Sequence, residues 1–190
     1  MKIARLLQLF FFLSIIIISS CSEKDEELVN ISLISFEEAT FSEDEFIIYL
    51  TEGPNGKTFS FGAGTYNFTN TIPLADIENL TIKGAGIDET YFDFSNSAST
   101  SGEGIAATYC SNLLFCGFTI QNTNGGNAIT ARNITGLRID GVGTVWPETS
   151  PDNGAYGIYP VESDDVIVEI VTPRQLSTQA FILAKTNGLF

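Results

Sequence analysis

No histidine occurs among the 190 residues. That absence removes imidazole acid–base catalysis, Ser-His and Cys-His nucleophilic pairs and histidine metal sites together. Basic residues are scarce as well: nine Lys and Arg stand against 23 Asp and Glu, a formal charge of −14. A field of that sign repels nucleic acid and other polyanions, so no nucleic-acid partner is expected. There are three cysteines and a single tryptophan, whereas glycine (17) and phenylalanine (15) are plentiful. Such a composition fits a folded, turn-rich chain of one domain with appendages.

One hydrophobic run is long, residues 6–18, and it is short for a membrane span. It follows Lys2 and Arg5 and is followed by Ser19-Ser20-Cys21, so residues 1–20 read as an export signal. The small pair before Cys21 resembles the lipobox of bacterial lipoproteins, which implies that Cys21 is acylated and becomes the mature N-terminus. The acidic stretch at residues 22–27 resembles the export tag of surface lipoproteins in Bacteroidota; a solvated linker of the same composition is the alternative. Together these imply an outer-membrane lipoprotein, at the cell surface or the periplasmic face, whose partner is a lipid bilayer entered by acyl chains rather than polypeptide. Loss of Lys2 and Arg5 with the leader leaves seven basic residues and a mature charge near −16. Cys110 and Cys116, six residues apart in a strand-rich stretch, are expected to be buried thiols rather than a pair.

Residues 21–41 have no steady period and read as an acidic tether. Next, Ser42 and Glu45 form a capping box, and Phe46, Ile47 and Leu50 share a helical face, so a short helix is expected at residues 42–50. "EGPNG" stops it. From Thr58 the chain turns to short β-branched and aromatic runs punctuated by Gly and Asn.

Those runs repeat. Segments begin at Ile72, Ile105, Ile129 and Ile158, and seven residues later stand Asn79, Asn112, Gly136 and Asp165. Leu80, Leu113, Leu137 and Val166 follow directly, with Ile82, Phe115, Ile139 and Val168 two residues on. A spacing of two points both side chains to one face of a strand. Units of about 24 residues, strand-rich and without an internal helix, suit a stacked solenoid. The expected fold is all-β, a right-handed single-stranded parallel β-helix of about four coils over residues 42–171, with the helix capping its first coil. An immunoglobulin-like or jelly-roll sandwich is the rival, but it would not predict the matched register.

"FGAGTYNF", "NLTIKGAGIDETYFDFS", "GEGI" and "GAYGIYPV" resemble bacterial parallel β-helix repeat proteins of the pectin-lyase-like superfamily, from about Phe36 to Ile170. In the most similar group a further "DAGIY-x-GQ" coil follows the Gly-Ile-Tyr coil, and this chain lacks it. Shifting the frame between Ser177 and Thr186 permits Asp-Ala-Gly-Ile-Tyr-Ile-Gly-Gln-Asn, one coil length beyond Ile158. Residues 172–190 therefore read as an aberrant, out-of-frame tail on a truncated β-helix; a divergent natural C-terminus is the alternative.

The resemblance implies carbohydrate chemistry without choosing lyase, hydrolase or binding protein. Lys57, Lys83, Arg132 and Arg138 stand outside any acidic cluster, so no catalytic residue is assigned. Asp165 occupies a repeat turn position and reads as structural. Gly84, Gly86 and Asp88 lie between strands and read as a turn rather than a phosphate loop. The insertion at residues 140–157 brings Trp146, Glu148, Asp152 and Tyr156 together, with Tyr159 in the next strand. Aromatic faces beside carboxylates suit a sugar, although Trp146 and Tyr156 could equally pin the loop. Ca²⁺ at Glu148, Asp152 or Asp164 lacks a recognisable spacing, so neither metal ligand nor cofactor is assigned. Three functions stay open: carbohydrate engagement, a truncated polysaccharide lyase or hydrolase, and a structural or adhesive envelope protein.

Overall fold

An eleven-residue block that repeats its turn and core positions should stack on its own copies, and in the computed structural model it does. The structure describes residues 32–146 and 156–174; the leader, Cys21, Glu148, Asp152 and residues 175–190 lie outside that range. β1 (Ser32–Phe36) and a 3-10 turn (Glu38–Thr40) precede the helix α1 (Glu43–Thr51). Strands then follow as β2 (Lys57–Phe61), β3 (Gly64–Asn67), β4 (Ile72–Ala75), β5 (Glu78–Lys83), β6 (Thr90–Asp93) and β7 (Ile105–Thr108). The remaining described strands are β8 (Ser111–Gln121), β9 (Ile129–Arg132), β10 (Thr135–Val145), β11 (Ile158–Val161) and β12 (Asp164–Arg174).

Every described strand pairing is parallel. One sheet runs β1-β2-β5-β8-β10-β12, with β3 and β6 extending it; the second runs β11-β9-β7-β4. The result is a β-solenoid of about five turns. The fifth turn is a correction to the expected four, and its source is the segment read as tether. Ser32–Phe36 pairs with Lys57–Phe61 from end to end. No isoleucine-led block marks it, yet Phe36 is buried and Ile34 packs on the core, so apolar alternation there earns a place in the stack. At the other end the ladder runs three residues past Val171, with Thr172, Pro173 and Arg174 opposite Gly143, Thr144 and Val145.

The sequence register is reproduced position by position. Ile72, Ile105, Ile129 and Ile158 stack in one column. Leu80, Leu113, Leu137 and Val166 form a second, and Ile82, Phe115, Ile139 and Val168 a third. Asn79, Asn112, Gly136 and Asp165 all have φ between 53° and 76°, the left-handed region that Gly, Asn and Asp enter most cheaply. Asn112 Nδ2 donates to Asn79 Oδ1 at 3.0 Å, tying the corner to the coil below. Three residues earlier a second left-handed column, Asp76, Tyr109, Asn133 and Glu162, has φ of 51–56°. That column was hidden because its residue types share no turn preference.

The first coil is closed by α1. Ser42 caps it, its Oγ accepting from the Glu45 amide at 3.4 Å. Glu45 does not complete a reciprocal capping box with the Ser42 amide; its carboxylate accepts from the Tyr49 hydroxyl at 3.1 Å instead. Phe46 is fully buried, its ring 5.3–5.5 Å from those of Phe36, Phe59 and Phe61 in edge-on contact. The Glu43 carboxylate accepts from the Thr69 amide and hydroxyl and the Asn70 amide, fastening the helix to the loop before β4. No helix among the described residues is long and apolar enough to cross a membrane.

Cys110 is a buried free thiol in the corner column that also holds Ile77 and Ile134; burial pushes its pKa up. Cys116 departs from expectation in part. It is buried as expected, at an outward position of β8 between Lys83 and Asp140, but it is disulfide-bonded rather than a free thiol.

Candidate functional site

Inward positions are filled by core, so ligand chemistry must sit on outward positions and loops. On the sheet of β4, β7, β9 and β11 the outward residues form two ladders: Pro73, Ala106, Thr130 and Tyr159, then Ala75, Thr108, Arg132 and Val161. Small side chains dominate both, leaving Tyr159 and Arg132 as the large groups on that face. Tyr159 is half-buried and its ring stacks on Tyr156, 5.4 Å between centroids and 14° from parallel. A planar aromatic pair on a solenoid face is a platform for an apolar ring face.

The ends of the 140–157 insertion meet one turn of chain, residues 123–128. Trp146 Nε1 donates to the Thr123 carbonyl at 3.0 Å and to its hydroxyl at 3.1 Å, and the Tyr156 carbonyl accepts from the Ala128 amide at 2.9 Å. Trp146 is thus partly buried and anchors its loop, while Tyr156 also presents its ring to Tyr159. Three of the five sequence-derived candidates are therefore placed; Glu148 and Asp152 lie outside the described residues. Asp164 is exposed at the start of β12, and Asp165 holds the turn position expected of it.

Residues that sequence reasoning missed complete the surface. Asn127 Nδ2 donates to Thr130 Oγ1 at 3.0 Å, and that hydroxyl donates to Glu103 Oε1. Asn127 Oδ1 is buried without a hydrogen-bond partner. Glu103 reaches this point because its loop lies hard against residues 124–128: a Cβ on Gly104 would stand 2.6 Å from the Ala128 carbonyl oxygen. Thr130 could have been found from sequence, since it follows Ile129 as Tyr159 follows Ile158. Glu103 could not, because its approach depends on loop geometry.

Elsewhere the cations are engaged differently. Arg138 pairs with Asp140 at 3.3 Å and Glu169 at 2.7 Å, and Lys57 lies over the Tyr49 ring at 6.0 Å. Gly84 and Gly86 sit between β5 and β6, with no helix start beside them. Asp93 is held by the Ser95 amide and the Gln121 and Asn122 side chains; burial raises its pKa, and these hydrogen bonds lower it by more. An open pocket of ≈ 530 Å³ lies between α1 and β4, lined by Asp44, Ile47, Ile48, Asn70 and Pro73 among others. Among the described residues no group of three His, Cys, Asp or Glu side chains is placed to hold a metal.

The chain is a parallel β-solenoid with a tyrosine-bearing outer face. No protein-family model matches it, and no curated protein does. A solved structure of similar fold comes from Parabacteroides merdae ATCC 43184, a protein provisionally described as a glycosyl hydrolase. The TM-score is 0.50 at 12% identity, over 77% of this chain and 100% of that one. Identity that low speaks for the fold alone.

Proposed function

We propose that the protein is an exported lipoprotein, held to the outer membrane by acylated Cys21, whose β-solenoid engages extracellular carbohydrate. The observation that carries the carbohydrate reading is the parallel Tyr156–Tyr159 pair on the outer face of the β4-β7-β9-β11 sheet. Sugars present an apolar C–H face and a rim of hydroxyls. Aromatic planes receive the first, and side chains such as Glu103 and Arg132 serve the second. Trp146 is fixed by its hydrogen bond to Thr123, and Glu148 and Asp152 belong to the loop between Trp146 and Tyr156.

Screening the purified protein against a glycan array tests the binding. Tyr159→Ala should abolish the signal while leaving the thermal melt within a few degrees, and an unchanged array profile would count against this surface. The anchor has its own test. Cells fed labelled palmitate should label the wild-type protein and not Cys21→Ser, and the variant should leave the membrane fraction. With three cysteines in the chain and Cys110 free, acylation of Cys21 and a disulfide at Cys116 within one chain exclude each other, so the acylated form should show two thiols on denaturing titration and the disulfide-bonded form one.

A further inference from the structure

We infer that the ligand of this face is an uncharged polyhydroxyl chain running along the solenoid axis, with Glu103 and Arg132 as binding residues beyond the tyrosine pair and the buried Thr130 positioning Glu103. The inference rests on the carbohydrate reading and narrows it to a substrate class.

Direction follows from the ladders. Pro73, Ala106, Thr130 and Tyr159 stand on four successive strands of one sheet. Neighbouring strands lie ~4.8 Å apart, so this line spans about 14 Å from Pro73 to Tyr159. Pro73 also lines the ≈ 530 Å³ pocket beside α1. The pocket and the tyrosine pair are therefore two ends of one outward face. Between them the outward residues of both ladders are small except Thr130 and Arg132, which leaves room for a chain along the axis and little hold for one crossing it.

Charge decides the ligand class. Glu103, bonded to Thr130, supplies one anionic acceptor, and Arg132, two residues further along the same strand as Thr130, supplies one exposed cationic donor. Asp44 and Glu43 line the pocket end, and the whole chain carries −14. A polyuronate would meet one arginine and a negative field at every other approach. A neutral polyol loses nothing to that field. Its hydroxyls can donate to Glu103 and accept from Arg132, and its ring faces can lie on the Tyr156–Tyr159 pair.

The deciding experiment is affinity electrophoresis and calorimetry of the full-length protein at about 0.15 M salt. Neutral polysaccharides (mannan, xylan, β-glucan) are compared with polyuronates (polygalacturonate, alginate). The inference predicts binding to at least one neutral polymer and none to the polyuronates. Glu103→Gln and Arg132→Gln should each weaken that binding about tenfold, the size of a lost charge-assisted hydrogen bond. Glu169→Gln, on the other sheet, should change nothing. Tighter binding to polyuronate overturns the inference and leaves the carbohydrate reading standing. Neutral binding unmoved by Glu103→Gln and Arg132→Gln overturns the extended face. Binding to no polymer overturns both. Arg132 is exposed, so its variant decides the matter if Glu103→Gln proves unstable.

Discussion

Asp93 shows how one side chain can hold two coils together. Its carboxylate takes 2.7 Å hydrogen bonds from Gln121 Nε2 and the Ser95 amide, with Asn122 Nδ2 at 3.2 Å, so its charged form is better solvated by protein than burial alone would allow. With the folded pKa below the ordinary carboxylate value, the folded chain holds this proton less readily than the unfolded chain. The stabilisation is therefore complete above about pH 4 and is lost as pH falls through the folded pKa. Asp93→Asn should cost about 1 kcal/mol at pH 7, discounted for its partial solvent contact, with the difference from wild type shrinking in acid. Urea melts at pH 7 and pH 3 would show this, and a gap that widened in acid would contradict the assignment. Tyr109 shows the limit of reading single residues. It is 65% exposed at φ 55°, a conformation that its side chain does not favour, and no local sequence signal marked it as a corner. Neighbouring coils set that backbone, with the Tyr109 amide bonded to the Arg132 carbonyl at 3.0 Å.

At the level of elements, the capping helix is where local sequence and tertiary packing agree most closely. Its start was legible from Ser42 and Glu45, and its buried face from Phe46 and Leu50. Phe46→Ala should cost about 3–5 kcal/mol, because the ring is fully buried among Phe36, Phe59 and Phe61. Ser42→Ala should cost only about 1 kcal/mol, the loss of one cap. Equal and small losses for both variants in denaturant titration would mean that α1 does not close the core. β1 was not legible, and the reason is physical. "SLISF" alternates too briefly to stand out, and what recruits it is the aromatic cluster beneath it, where Phe36 stacks on Phe61 at 4.9 Å. The tyrosine-bearing face divides in the same way. Tyr159 was visible as an aromatic at a repeat position, whereas Glu103 joins Thr130 only because two loops of different coils pack together.

Across the whole molecule, the repeat was legible because each coil places the same side chains over the coil below, so one column of isoleucines announces the stack. Length variation is confined accordingly. The blocks that begin at Ile72, Ile105, Ile129 and Ile158 keep one internal spacing, while those isoleucines stand 33, 24 and 29 residues apart. The paired left-handed corners explain why. A bend with both ends at φ above 50° admits neither an added nor a deleted residue without throwing every later side chain onto the wrong face. For an engineer, this makes the solenoid a rail with a fixed side and a permissive side. Three residues grafted after Asn96, in the exposed turn between β6 and β7, should leave the melting temperature within a few degrees, whereas the same graft after Glu78 should prevent cooperative folding. Foreign peptides or reporter tags could then be displayed along one flank, at successive heights set by the coil spacing, without disturbing the tyrosine-bearing surface.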